Sequence, residues 1–260
     1  MKKGYRIRIY PNRGQIELIN RHFGACRFVW NYMINVQEEN HEKGGNYLSG
    51  YDLNRILTQV KHEAEHAWLN EVSCVSLQIT CIRLHSAYLN FFKGTFGHPR
   101  FKSKKNTKQS YPVCSNRFYF TESYCRIQRI GNVKYRTDMS LPLGRGQKFY
   151  NVVLSRDGNK YFISFCVDCD KQATNLTSQS MGIDLGIKTT ATISYWGKWY
   201  VIENINKSTQ IKRIENRIKY YQRRISHKYD YCYKQTGKYK KSNNIRKLEG
   251  KVSRLYKKTN

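Results

Sequence analysis

Carboxylates are scarce in this chain. Its 260 residues hold 18 Asp and Glu against 47 Lys and Arg, a formal net charge of +29. That imbalance excludes the near-neutral surface of a metabolic enzyme, and no small-molecule substrate is expected. It points to a polyanionic partner, because each neutralised phosphate releases counterions and adds affinity that does not depend on base sequence. A membrane surface is the other polyanion to consider. Long apolar runs are also lacking. None approaches the ~18 residues of a spanning helix, and no amphipathic anchor stands out, so no membrane partner is expected. The basic opening MKKGYRIRIYPNRGQ has no apolar segment behind it and does not read as a secretory signal. The eight cysteines, at 26, 74, 81, 114, 125, 166, 169 and 232, are irregularly spaced, which predicts reduced and mostly buried thiols. There is no short internal repeat.

Aromatics are plentiful at 14%, with 21 tyrosines lying among the basic residues. That mixture suits base stacking beside phosphate contacts. Many of the tyrosines read equally well as half-buried strand residues. Residues 4–10 alternate as a strand, ended by Pro11-Asn12. Ile16, Ile19, Phe23, Cys26, Trp30 and Met33 recur at helical steps and predict a helix over about 13–40. A second helix is expected over 51–66 and a third from Ser73, a candidate N-cap. Residues 94–110 (GTFGHPRFKSKKNTKQS) read as a loop carrying Arg100, Lys102, Lys104, Lys105 and Lys108, with Phe96 and Phe101 interleaved. Charge runs usually mean a solvated face; here the aromatics favour a nucleic-acid contact.

Short strands then take over: 118–120, 133–135, 147–155 and 160–168, the last two joined by Asp157-Gly158 as a hairpin turn. The polar stretch 171–180 reads as a linker. Three more strands are expected at 181–186, 189–195 and 199–203, with Gly197-Lys198 as the last turn. Two apolar stripes follow, Ile211, Ile214, Ile218, Tyr221, Ile225 and Ile245, Leu248, Val252, Leu255, separated by a Tyr/Lys/Gly-rich connection over 227–244. Residues 211–260 hold 17 Lys and Arg against three acids, which describes a basic helical hairpin. The last helix runs to Asn260 without a capping signal, as if the chain stopped inside an unfinished domain.

Three motifs carry possible chemistry. His62-Glu-Ala-Glu-His66 matches H-E-x-x-H, which on a helix sets two imidazoles on one face for zinc. A third ligand is missing, so a solvated face is the better reading. Cys166-Val-Asp-Cys169 is C-x-x-C, but no second pair lies nearby, and in a strand the two thiols point to opposite faces. Met181-Gly-Ile-Asp184-Leu-Gly-Ile-Lys-Thr-Thr190 is the third. An unpaired carboxylate buried in a strand is costly, and glycines on either side admit a metal or phosphate. A ribonuclease-H-like fold presents such an Asp to two Mg²⁺ ions. An actin- or chaperone-type ATPase phosphate loop is the rival, and a plain turn Asp is the bland reading.

Five stretches in order bring a family into view: YRIRIYPNRGQ, FGACRFVWNYMI, WLNEVSCVSLQITCIRLHSAYLNFFKG, GHPRFKSKKNTKQSY and MGIDLGIKTTATIS with the basic helices after it. Together they resemble the TnpB-type (OrfB) proteins of insertion sequences, RNA-guided DNA endonucleases related to type V CRISPR effectors. The resemblance implies an α+β multidomain chain. Residues 1–10 and 111–170 would form a wedge-type β-barrel, 11–110 an inserted helical recognition lobe with a helix-turn-helix-like start, and 181–260 the start of a ribonuclease-H-like (RuvC) domain with its basic helical hairpin. Asp184 would be the first catalytic carboxylate and a Mg²⁺ ligand. Gln78, Arg100, Lys102, Lys104, Lys105, Thr107 and Lys108, with Arg213, Arg217, Arg223 and Arg224 of the basic helices, would touch nucleic acid. Guide RNA and target double-stranded DNA would be the partners, in a prokaryotic cytoplasm near the nucleoid. The family's later Glu, final Asp and zinc ribbon have no match in residues 1–260, and Glu203, Glu215 and Glu249 do not fit the second motif. Cleavage by these residues alone is therefore not expected, and a nuclease-inactive binding or repressor module is the second reading.

Overall fold

The computed structural model describes residues 1–106, 108–139, 141, 146–170 and 179–259. The chain divides into two compact units, Met1–Lys171 and Gln172–Asn260. Both mix helix and sheet, so the chain is an α+β multidomain protein. Among the described residues no helix is long and apolar enough to cross a membrane.

In the first unit, β1 (Lys2–Tyr10) leads into α1 (Arg13–Glu42). Asn12 caps α1 through a capping box with Gln15, satisfying two end groups that would otherwise lack partners. Gln15 also donates to the Asn132 carbonyl at 2.7 Å, which ties the helix start to the sheet. Ile19, Phe23, Cys26, Val29 and Met33 form its buried stripe, while Trp30 is only half-buried. Two further helices, α2 (Gly50–Val60) and α3 (Cys74–Phe92), pack together closely. A Cβ on Gly50 would come within 2.8 Å of Ile82 Cδ1, so the residue must be glycine or Ile82 must shift.

The second helix is shorter than its sequence pattern suggests. It ends at Val60, and Ala64–Glu71 forms a 3₁₀ segment instead. His62 and His66 therefore share no helix face. His66 packs on Phe28 and Tyr32 and bonds Glu63 at 2.9 Å. Of the residues in this motif His66 serves local packing, while His62, Glu63 and Glu65 are exposed, as the solvated reading expects.

The sheet of this unit has seven strands in the order β2-β6-β7-β1-β5-β4-β3, all neighbouring pairs antiparallel. Its further strands are β2 (Lys108–Pro112), β3 (Tyr119–Phe120), β4 (Tyr124–Ile127), β5 (Gly131–Arg136), β6 (Phe149–Asp157) and β7 (Lys160–Asp168). The sheet resumes at Lys108 rather than 111, because the Lys108–Pro112 backbone pairs with Asp157–Val153. The predicted Asp157-Gly158 turn is present, with Gly158 at a φ of +59°. Cys169 lies beyond β7, so the picture of two strand cysteines on opposite faces does not hold; its backbone N–H donates to the Met1 carbonyl at 2.8 Å. All eight cysteines are free, and four of them are buried.

The seven strands curl strongly. β3 and β7 stand four ladder steps apart, a distance of about 19 Å in a flat sheet. Yet Phe120 of β3 meets Phe165 of β7 with ring centroids 5.1 Å apart. Phe118 and Phe149 complete the cluster, at 5.1 Å from each other. The sheet wraps around these aromatics, with β2 and β3 as its two ends.

His22 of α1 joins the helices to the sheet. Its Nδ1–H donates to the Leu18 carbonyl at 2.8 Å, its Nε2 accepts from Ser73 N at 3.2 Å, and its ring stacks on Tyr111. That bonding requires the neutral imidazole, and burial holds its pKa below the ordinary 6.5. The unfolded chain then binds the extra proton first, so this contribution to stability is complete above 6.5 and is lost as pH falls below it. Melting temperature is expected to drop on acidification through that range, and a His22→Asn variant should lose part of the drop in parallel thermal scans.

The second unit contains a three-stranded sheet, β8 (Met181–Leu185), β9 (Thr189–Tyr195) and β10 (Lys198–Glu203), in the order β10-β9-β8. The turn between β9 and β10 is Trp196-Gly197, one residue earlier than expected; both adopt positive φ, as a tight hairpin with the sheet's twist requires. Two helices follow, α4 (Thr209–Thr236) and α5 (Asn243–Thr259). α4 extends to Thr236, well into the predicted 227–244 connection, and closes on Gly237 at a φ of +64°. The pairs Gln222–Tyr256 and Tyr229–Glu249 show that the two helices run antiparallel.

Candidate nucleic-acid interface

The basic loop of the first unit is a strap fastened to α1. Trp30 Nε1 donates to the Arg100 carbonyl at 3.0 Å. The Asn31 side chain holds the Lys102 backbone from both sides, donating to its carbonyl at 3.0 Å and accepting from its N–H at 2.8 Å. Gln109 donates to the carbonyls of Ser103 and Asn106. Each bond contributes about 1 kcal/mol net, so the strap is held by several kcal/mol in aggregate. Its cations are thus presented in a preformed array, which lowers the ordering cost of binding.

Arg100, Lys104, Lys105 and Lys108 are exposed, with Phe96 and Phe101 exposed among them. Lys108 belongs to β2 rather than to the loop. Lys102 is exposed as well, and its Nζ lies 3.5 Å from the Trp30 ring centroid. Desolvation there, opposed by Cys26 and reinforced by Arg83, brings its pKa down to about 8. Gln78 is exposed on α3, one residue from the buried Leu77. Thr107 lies outside the described residues, as do 171–178 of the expected linker.

On α4, Arg213, Arg217, Tyr220 and Arg224 fall at steps of four, three and four and share one exposed face. Arg224 reaches back to Tyr220, its guanidinium 5.6 Å from the ring centroid. Arg223 is also exposed but lies on a different face, beside Lys219 and His227. The predicted arginines therefore form one stripe of three and a separate fourth.

Asp184 sits in β8, opposite Thr192 of β9, and every residue of that strand is exposed. The carboxylate therefore carries no burial cost in this unit, and the desolvation argument does not apply to it. The two glycines also differ. A Cβ on Gly186 would lie 3.0 Å from the Thr189 carbonyl, so it serves a tight turn, whereas Gly182 has room for a side chain. Asn204 fixes this turn by donating to the Ile187 carbonyl at 2.8 Å.

Fold and surface together define a strongly basic α+β protein of two units, with cationic side chains interleaved with exposed aromatics on each. A family model described as a helix-turn-helix domain, HTH_OrfB_IS605, matches residues 1–46. The matched domain and the relatives that follow make the chain similar to the TnpB-type (OrfB) proteins of insertion sequences. InsQ of Escherichia coli (strain K12), named for RNA-guided DNA endonuclease activity, is 28% identical over 98% of the chain and 58% of its own length. A Streptomyces pristinaespiralis protein named for the same activity is 27% identical over 98% of the chain and 60% of its own length. The chain thus spans about three fifths of these relatives. A Cas12f1-sgRNA-target DNA complex solved by cryo-EM is similar at 16% identity and a TM-score of 0.36, covering 99% of this chain and 66% of that one.

The family resemblance implies Mg²⁺ at Asp184. Among the described residues no three His, Cys, Asp or Glu side chains gather to hold a metal. The described surroundings of Asp184 therefore do not fit a two-ion site.

Proposed function

We propose that this chain is the guide-binding and target-recognising part of an RNA-guided DNA-binding system of the TnpB type. In this reading the curled sheet acts as the wedge domain, α1 to α3 as the recognition lobe, and β8 to α5 as the start of a RuvC-like domain. Guide RNA pairs with the target strand, while the protein holds the heteroduplex by its shape and reads a short adjoining duplex motif. Gln78 and the strap contact nucleic acid from the first unit, and Arg213, Arg217, Arg223 and Arg224 from the second. Asp184 stands where the family resemblance puts its first catalytic carboxylate. The observation that carries the reading is the pre-fastened strap, a fixed run of cations and exposed aromatics in a chain of net charge +29.

Two outcomes are expected of the chain loaded with a structured RNA bearing a guide segment. Duplex DNA complementary to the guide is retained in a filter or gel-shift assay, and a scrambled duplex is not. Equal retention of both would sink the guided reading. With Mg²⁺ added, the bound duplex stays intact. A cut that disappears in Asp184→Ala would show instead that these residues complete a nuclease site.

A further inference from the structure

Behind the strap, α1, α3 and β2 enclose a cavity of about 310 Å³. Arg27, Arg83 and Lys102 line it, and among its described lining residues none is acidic. No ion pair engages any of these three among the described residues. Among the described residues Arg27 donates to the neutral Gln109, at 3.3 Å. The Cys26 thiol in the same wall cannot balance them, since burial pushes its pKa up to about 11 and it stays neutral. Three cations converging on one cleft repel each other, and desolvation raises the cost. The fold nevertheless holds Lys102 there through Trp30 and Asn31. An anion entering the cleft would relieve the repulsion and accept charge-assisted hydrogen bonds.

We propose that Arg27, Arg83 and Lys102 form a socket for one phosphodiester of a nucleic-acid strand, with the Trp30 ring as its floor. The volume exceeds that of a lone phosphate and leaves room for flanking sugar, and the exposed Phe101 at the rim offers a surface for a neighbouring base. This inference rests on the nucleic-acid reading above and adds to it a position and a titration. Cys26 and Arg27 of α1, Arg83 of α3 and Lys108 of β2 are the titratable and charged groups that share the cavity wall with Lys102. Of these, Lys102 is the cation whose pKa is lowered to about 8, so anion affinity is expected to fall as pH rises past that value.

Sulfate is the probe, because its charge is constant across that range. It is titrated into the full chain with Trp68, Trp196 and Trp199 replaced by Phe, so that Trp30 fluorescence reports on the socket. Lys102→Gln and Arg83→Gln should each weaken sulfate binding and RNA binding about tenfold. Lys102→Arg should keep the binding and abolish its pH step. Unchanged sulfate and RNA affinity in both Gln variants overturns the socket, as does a pH step that survives in Lys102→Arg. Sulfate binding at Trp30 with no RNA binding at all would count against the proposed function and leave the anion socket standing. RNA binding at full strength in both Gln variants would count against the socket alone.

Discussion

Raising salt from about 50 to about 200 mM is expected to lower the affinity of this chain for structured RNA by about 10³- to 10⁵-fold, the loss that six to ten phosphate contacts would give. The exposed cations account for that number of contacts: Arg100, Lys104, Lys105 and Lys108 on the first unit, and Arg213, Arg217, Arg223 and Arg224 on the second. Two forces compete here. Stacking on Phe96, Phe101 or Tyr220 is worth about 1–3 kcal/mol per base and does not depend on salt. Phosphate neutralisation is individually weaker but repeated, and it dominates as long as many cations engage together. The triple variant Arg213→Gln, Arg217→Gln, Arg224→Gln removes the α4 stripe and should flatten the logarithmic salt slope by about two to three. Fluorescence anisotropy across a salt series reads both quantities. A slope near zero would mean that the aromatics, not the charge, hold the RNA.

Phe165→Ala is expected to destabilise the first unit by about 3–5 kcal/mol, the usual cost of emptying a buried phenylalanine site. The ring is 2% exposed and contacts Tyr5, Phe118, Phe120 and Phe149. Two of those partners, Phe118 and Phe120, lie on the far side of the curl, so the variant removes contacts that a flat sheet would never make. Phe101→Ala, on a ring that is 54% exposed, should change stability by less than about 0.5 kcal/mol. Urea titration of both variants decides the matter, and equal midpoints would argue against a curled aromatic core.

Periodicity alone made the long elements legible. The steps of three and four through Ile19, Phe23, Cys26 and Met33 predict α1, and the Asp157-Gly158 pair predicts its hairpin. What escaped were features set by distant partners. Tyr124–Ile127 is a strand because Val133 and its neighbours pair with it, and four residues carry too little pattern to show that. The second helix stops at Val60 although its sequence stays helix-compatible, because His66 is drawn onto Phe28 and Tyr32. Of the candidate site, the strap's basic residues stood out by composition. Its fastening to Trp30 and Asn31 spans 70 or more residues, and the cavity wall shared by Arg27, Arg83 and Lys102 joins α1, α3 and the strap; no local signal encodes either. Asp184 was prominent as a motif, but its exposure could not be read from the residues around it.

The position of β1 has a consequence for the order of events during synthesis. Its neighbours in the sheet are β7 and β5, paired as Lys2 with Asp168 and Ile9 with Tyr135, so both partners are made long after it. At a ribosomal rate of about 5–20 residues per second, β1 waits roughly ten to thirty seconds for β7. α1 to α3 emerge within that interval and can pack through local contacts first. The helices then form the platform on which the opening strand is stored, and the last strand of the unit to be made completes the pairing of the first.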